Sequence, residues 1–410
     1  MSRLNELILE MCPYGVQYKT IEEICTKVTS GGTPNSQKAE YYGGNIPWLR
    51  TQEINFCEIS DTGIKITEDG LKNSSAKWIP AYCVVVAMYG ATVGKVAYTS
   101  IPLTTNQACC NLEIDKHIAE YKFVFYCLAN KYGYIKSLGQ GSQTNINSQI
   151  VKKLTIPIPP LSVQHEIVRI LDSFTELSAE LSAELSARKK QYEYYRELML
   201  INQNGASLTR IGDVCSIKGR IGFRGYTQKD FVRQGEGAIS LSPGNIVSNH
   251  FVFEECKYIT WEKYYESPEI MLEKKDVVLC KTGSTVGKVA IIQTLPEKAT
   301  LNPQLVVLKD IKCNPRYLFY CLSSNPIQNK IQSLAGVGSV PNISQKAISD
   351  IEISIPSAEE QNRIVSILDH FDMLCADTFS GLPAEIMARQ KQYEYYRDKL
   401  LTFKQAEVFQ

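Results

Sequence analysis

The decapeptide Ala187–Arg196, ARKKQYEYYR, returns as Ala388–Arg397, ARQKQYEYYR, 201 residues later with a single substitution. Upstream, Ile167–Asp172, IVRILD, returns as Ile364–Asp369, IVSILD, at a spacing of 197. The two spacings differ by four residues, so the helical part of the repeat carries a length difference. A chain with this pattern folds as two like halves, each ending in a helix rich in Tyr, Gln and charge.

The segments between the helices obey the same duplication. Gly90–Ala97, GATVGKVA, is answered by Gly283–Ala290, GSTVGKVA; Phe125–Leu128 by Phe319–Leu322; Ile21–Cys25 by Ile211–Cys215; and Gly139–Asn147 by Gly336–Ser344. Stretches 26–80 and 216–272 diverge. A shared frame with different inserts suits two domains doing one job on two targets. Within the first half, Tyr82–Met88 and Lys95–Thr99 are predicted strands, Glu120–Tyr132 a helix and Lys153–Pro159 a strand. Gly31-Gly32, Gly43-Gly44 and Asp69-Gly70 punctuate them as turns.

After Pro159-Pro160 comes Leu161–Leu200, with no Gly or Pro; as one helix it would be about 60 Å long. Its apolar stripe, Ile167, Leu171, Phe174, Leu177, Leu181, Leu185, Tyr192, Tyr195 and Met199, suits packing on another helix. The middle is a tandem SAEL-SAEL, Ser178–Leu185. The second helix, from about Ser357 to Phe403, is interrupted at Ser380-Gly381-Leu382-Pro383, where a break and restart are expected because Pro is accommodated in a helix's first turn. Residues 3–10 predict a short helix that echoes Arg196–Ile201, which would make the chain cyclically cut relative to its own repeat.

Chemistry of its own is hard to find. The GxxxGK turns lack the four-residue spacing and following Ser or Thr of a phosphate-binding loop. Asn314–Tyr317 places Arg316 where an amino-group methyltransferase would have a second Pro. The four His are scattered and the 13 Cys show no C-x-x-C pair, so neither metal nor cofactor is expected. Most Cys sit in apolar runs, which reads as reduced, buried thiols in a cytoplasmic protein. No run of 18 apolar residues marks a membrane span. The net charge of +1 leaves any nucleic-acid role to local charge, and Arg210–Gly235, with six Lys and Arg against Asp213 and Asp230, is a candidate basic stretch.

Taken together, the duplicated Ile158-Pro159-Pro160-Leu161 with Gln164, Ile355-Pro356 with Gln361, both ILD helices, Leu382–Glu385 and both QYEYYR segments resemble the specificity subunit of a type I restriction–modification system. Ser30–Pro34 with Trp48–Thr51, and Gly219–Tyr226, resemble sequences of that family's target-recognition domains. The likeness covers nearly the whole chain. It implies an α+β fold with an internal pseudo-two-fold repeat: target-recognition domains at 1–157 and 205–355, and helical conserved regions at 158–204 and 356–410 that pack antiparallel as a coiled coil. It further implies a non-catalytic subunit reading a bipartite DNA site. Two modification subunits would bring adenine-N6 methylation and S-adenosylmethionine, and restriction subunits would bring ATP-driven activity. Where the family commonly has Gly-Leu-Pro, the first helix has SAEL repeats. Two other readings stay open: the recognition subunit of a related fused restriction–methylation system, and a coiled-coil scaffold without DNA binding.

Base readout needs polar side chains on protruding loops, with Gly where backbone nears phosphate. The candidates are Arg50, Thr51, Gln52, Thr92, Lys95, Gln143 and Asn145 in the first half, and Arg220, Phe223, Arg224, Tyr226, Ser284, Thr285 and Lys288 in the second. In the helical ends, Tyr192, Tyr195, Tyr393 and Tyr396 would pack helix on helix, while Tyr194, Arg196, Tyr395 and Arg397 would form an exposed dock for the methyltransferase.

Overall fold

The computed structural model describes all residues except 1, 140–144, 202–205, 221–225, 337–339, 377–380 and 407–410. The chain forms two compact units, residues 1–180 with 387–410, and residues 181–386. The boundary falls inside the helices rather than at the ends of the globular segments.

Each unit has the same sheet frame. In the first, one sheet runs in the order Cys25–Ser30, Cys109–Ile114, Val84–Ala87, Val96–Thr99, Glu58–Ile59. A second runs Lys65–Ile66, Tyr42–Leu49, Leu103–Thr105, Trp78–Ile79. The other unit answers with Ser216–Gly219, Leu305–Lys309, Val277–Cys280, Val289–Ile291, and with Phe231–Val232, Lys257–Thr260, Gly237–Leu241, Ala299–Leu301. Both second sheets contain one parallel pair, with Leu49 opposite Thr105 and Leu241 opposite Leu301. The central strands are apolar on both faces, VVVA and VVLC, and every residue in them is buried.

Helix Tyr121–Asn130, and Pro315–Ser323 in the other unit, covers the first sheet through Phe123, Val124 and Leu128 or Tyr317, Leu318 and Leu322. Asn314 caps the latter by accepting from the Arg316 and Tyr317 N–H groups. Asp69-Gly70 is not a turn. It lies within the helix Glu68–Lys72, and Gly is required because a Cβ on Gly70 would stand 2.5 Å from the Tyr41 carbonyl oxygen.

The first long helix is continuous from Leu161 to Ile201, through the SAEL tandem. The second begins as Ala358–Ala376, with Ser357 capping the Glu360 N–H, and a new helix opens at Leu382 and runs to Leu400 with Pro383 in its first turn. Within the first unit Phe174 packs on Tyr393 and Tyr396, at ring-centroid distances of 6.4 and 5.6 Å. Within the second, Phe371 packs on Tyr192 and Tyr195 at 6.1 and 6.2 Å. Phe371 follows Phe174 by 197 residues, so it is the same device twice. Each unit therefore joins the early part of one repeat's helix to the late part of the other's, in an antiparallel sense. The short helix expected over residues 3–10 is present as Ser2–Met11. Leu4 of the helix Ser2–Met11 shares a core with Leu400 and Leu401, and Val16 bridges Gln405.

All twelve described cysteines are free thiols, and burial pushes Cys25, Cys83, Cys110 and Cys215 up to about 12. Among the described residues no cluster could hold a metal, and no helix is long and apolar enough to cross a membrane.

The stacked pair Phe174–Tyr396 is predicted to couple by about 1 kcal/mol in a double-mutant cycle of alanine substitutions, read by denaturant unfolding. Simple additivity would remove the pair's role in holding the two repeats together.

Candidate nucleic-acid interface

The parallel strand pair determines where polar loops collect. At the end of Tyr42–Leu49 the chain turns through the short helical turn Thr51–Glu53; at the end of Gly237–Leu241 it turns through Pro243–Asn245. The two turns are built alike. The Glu53 carboxylate accepts from the Arg50 N–H at 3.4 Å, and the Asn245 side-chain oxygen accepts from the Ser242 N–H at 2.9 Å. Both are followed by a buried Ile, Ile54 or Ile246, that anchors the exit.

Three further loops converge on each turn. The partner strand ends in Asn106-Gln107, or in Asn302-Pro303-Gln304, with Asn106 and Asn302 donating their N–H to the carbonyls of Leu49 and Leu241 at 3.0 and 2.9 Å. The GxxxGK turns Gly90–Lys95 and Gly283–Lys288 follow the central strands; Gly90 and Gly94, Gly283 and Gly287 all have φ between 79° and 102°, which is why Gly recurs there. Finally, Asn145 accepts from the Gly90 N–H at 3.2 Å, while Asn342 accepts from the Thr282 hydroxyl at 2.6 Å. In the first unit Gly31-Gly32 joins the cluster. A Cβ on Gly31 would stand 1.8 Å from the Thr105 carbonyl oxygen, and the Gly32 carbonyl accepts from the Trp48 indole at 3.0 Å. This explains the SGGTP and WLRT segments as one interlocked piece.

The nominated residues separate on this frame. Gln52 and Ser284 are exposed on their turns, and Arg50, Thr92, Asn145 and Thr285 are half-buried beside them. Thr51 is a correction: it is buried, and its carbonyl closes the turn by accepting from Ile54 N–H, so it builds the turn and presents nothing. Arg220 is a second correction. It is only 4% exposed, its guanidinium lies 4.5 Å from the Tyr226 ring and donates to the Leu301 carbonyl and the Ser267 hydroxyl. Arg220 occupies the position corresponding to Gly31, and it braces the strand end that Gly31 reaches by close backbone approach. Tyr226 donates to the same Leu301 carbonyl at 2.7 Å. Lys288 is turned inward, to the Ile246 carbonyl at 2.9 Å, whereas Lys95 donates across the surface to the exposed Asn55 side chain at 2.7 Å. Gln143, Phe223 and Arg224 lie outside the described residues. Of the basic stretch, Arg210, Lys218, Lys229 and Arg233 are exposed.

Sequence reasoning missed exposed Gln107 and Gln304, and the turn Ser242–Asn245. In the second unit Ser242, Gly244, Asn302, Gln304 and Tyr226 line a groove of about 440 Å³. The available signal was Asn106 recurring as Asn302, with Gln close behind each.

On the helices, Tyr194 and Tyr395 are 64% and 62% exposed. Arg196 is buried over the Tyr192 ring at 5.4 Å, and Arg397 is half-buried over Tyr393 at 5.7 Å, so the four do not form one exposed set. Burial among these side chains raises Tyr192 to about 12. The duplicated Gln and ILD motifs anchor each long helix to its own globular part. Gln164 accepts from the Glu120 N–H at 2.9 Å and donates to the Pro159 carbonyl at 2.7 Å; Gln361 accepts from the Asn314 N–H at 2.8 Å and donates to the Pro356 carbonyl at 2.9 Å. Asp172 accepts from Lys122 and Tyr126, both at 2.7 Å, and Asp369 accepts from Arg316 and Tyr320, at 2.6 and 2.5 Å.

The profile of the type I restriction modification DNA specificity domain matches residues 13–188 and again 205–388. The chain belongs to the type I restriction–modification specificity subunit family. A putative specificity subunit of Haemophilus influenzae is 30% identical over 97% of this chain and 99% of its own length. A specificity subunit of Escherichia coli is 34% identical over 70% of this chain and 72% of its own. The fold is that of the solved S subunit from M. genitalium, with a TM-score of 0.53 at 16% identity over 94% of this chain and 96% of that one. A chain from a study of type I system assembly gives 0.63 at 16% identity, over 94% and 97%. As a member of this family the chain is a non-catalytic DNA-recognition subunit.

Asn245→Ala removes the cap of the second turn and its bond to the Val252 carbonyl. It should cost about 1–2 kcal/mol of stability and raise amide exchange across 242–247; unchanged exchange there would show that Asn245 does not hold the turn.

Proposed function

We propose that the chain reads a bipartite double-stranded DNA site, one half-site per unit, and positions modification and restriction subunits on it. The observation that carries this reading is the loop cluster itself: one frame built twice, displaying Gln52, Thr92, Gln107 and Asn145 in one unit and Ser242, Ser284, Thr285 and Gln304 in the other. Side chains of this kind donate to and accept from base edges, and different sets on a common frame give different half-sites. The near-neutral net charge suits a subunit that shares phosphate neutralisation with its partners. Segments 1–157 and 205–355 would be the readers, and 158–204 and 356–410 the conserved helical regions that set their spacing.

In this reading two modification subunits carry adenine-N6 methylation and bind S-adenosylmethionine, and restriction subunits bind ATP, all in the cytoplasm. Exposed Tyr194 and Tyr395, one per QYEYYR segment, form part of the methyltransferase dock, since Tyr is favoured at the centre of interfaces. Base flipping falls to the methyltransferase.

The unbroken helix through Ser178–Leu185 works as a ruler. Each four-residue unit adds about 6 Å along the helix, against about 3.4 Å per base-pair step. The added unit also turns the helix by about 40° beyond its period. Inserting one more SAEL is expected to lengthen the tolerated spacer by about one or two base pairs and leave both half-sites unchanged. Sequencing of modified adenines in cells carrying the variant complex reads both quantities. An unchanged spacer would refute the ruler, and failure to find any bipartite methylated motif with the native chain would refute the reading as a whole.

A further inference from the structure

The two GxxxGK lysines are the most obvious cations near the loop clusters, and the first assumption is that they meet phosphate. Their geometry says otherwise. Lys288 donates to two backbone carbonyls of one turn, Ile246 at 2.9 Å and Pro243 at 3.4 Å. Those carbonyls flank the short turn Pro243–Asn245, which follows the parallel strand Gly237–Leu241. In the first unit Lys95 donates to the Asn55 side chain at 2.7 Å, just past the equivalent turn Thr51–Glu53. The two turns are otherwise dissimilar in sequence, SPGN against RTQE. What they share is a lysine arriving from the same place in the frame. Its route is fixed on both sides: Lys288 N–H donates to the Thr285 carbonyl at 3.2 Å and Lys95 N–H to the Thr92 carbonyl at 2.9 Å, closing each GxxxGK turn.

We infer that Lys288 is a positioning residue, which locks the turn Pro243–Asn245 in place as a base-reading element, that Lys95 steadies the segment after Thr51–Glu53 more loosely through Asn55, and that neither lysine serves to neutralise phosphate. This inference rests on the DNA-reading function proposed above. An ammonium holding carbonyls on one turn gathers partial negative charge that would otherwise face the DNA, and an unmade carbonyl bond in a half-buried site is costly. Fixing a reader to within a fraction of an ångström is what discriminates bases, while a phosphate contact adds affinity without sequence information. The variable turn is thus freer to differ between halves because part of its hold, beside its own cap at Glu53 or Asn245, comes from outside it. The same division of labour accounts for a Lys kept in two halves whose recognition segments have diverged.

The test uses the specificity subunit assembled with its methyltransferase partner, as wild type, Lys288→Met, Lys288→Gln and Lys95→Met. Binding is measured to the cognate duplex and to duplexes carrying one base-pair change in either half-site, over a range of salt concentrations. Lys288→Met is expected to reduce discrimination about tenfold in one half-site only, with the slope of log affinity against log salt unchanged. Lys288→Gln, which keeps N–H donors without charge, recovers part of the discrimination, and Lys95→Met affects the other half-site. Loss of about one unit of salt slope, with discrimination intact and Gln no better than Met, would overturn the inference in favour of a phosphate contact. A wild-type complex that binds DNA but does not discriminate bases overturns the proposed function itself, a result separable from the lysine outcome. Thermal unfolding of each variant confirms that the frame is retained.

Discussion

Phe174 against Tyr393 and Tyr396, and Phe371 against Tyr192 and Tyr195, are the contacts on which the architecture depends. A helix as long as Leu161–Ile201 has too few apolar neighbours of its own to be a stable rod in water. It becomes one by burying an aromatic stripe against a second helix in each unit. Because the partner helix comes from the other repeat, neither repeat completes its packing alone: the second unit draws on both repeats within 181–386. That is why the first unit gathers residues from both ends of the chain.

Anchoring follows from that packing. Gln164 and Gln361 tie the opening of each helix to the backbone just past the preceding strand, and Asp172 and Asp369, twelve residues into each helix by the bounds Leu161 and Ala358, tie its fourth turn to a Tyr and a cation on the covering helix. The charges are not surface decoration: Arg316 sits with Asp369 and Asp372 where burial pushes the Asp372 carboxyl upward in pKa. The same fixation recurs at both junctions, although stretches 26–80 and 216–272 diverge in sequence.

Much of this was legible in the sequence, for physical reasons. A ten-residue repeat with three Tyr survives only if both copies do the same packing job, and the apolar stripe Ile167, Leu171, Phe174 has the spacing that job needs. The helix restart at Leu382 followed from Pro383. Less legible was the fate of polar side chains. Arg220 looks like a reader and is a brace, and Thr51 looks displayed and is buried, because a strand end pulled onto a parallel neighbour turns such side chains inward. Arg196 disappears over Tyr192 for a similar reason: a guanidinium covering an aromatic ring gains more than one in water. Gln107 and Gln304 were overlooked since nothing local marks the end of a two-sheet frame; only the strand pairing places them beside the recognition turns.

The central claim is that equivalent loop clusters in the two units address different halves of one site. Site-specific photocrosslinking tests it most directly, with a photoreactive side chain at Gln52 in one preparation of the assembled complex and at Ser284 in another. The account predicts that each crosslinks within a single half-site, and that the two half-sites differ. Crosslinks from both positions to the same half-site, or to flanking DNA alone, would contradict it.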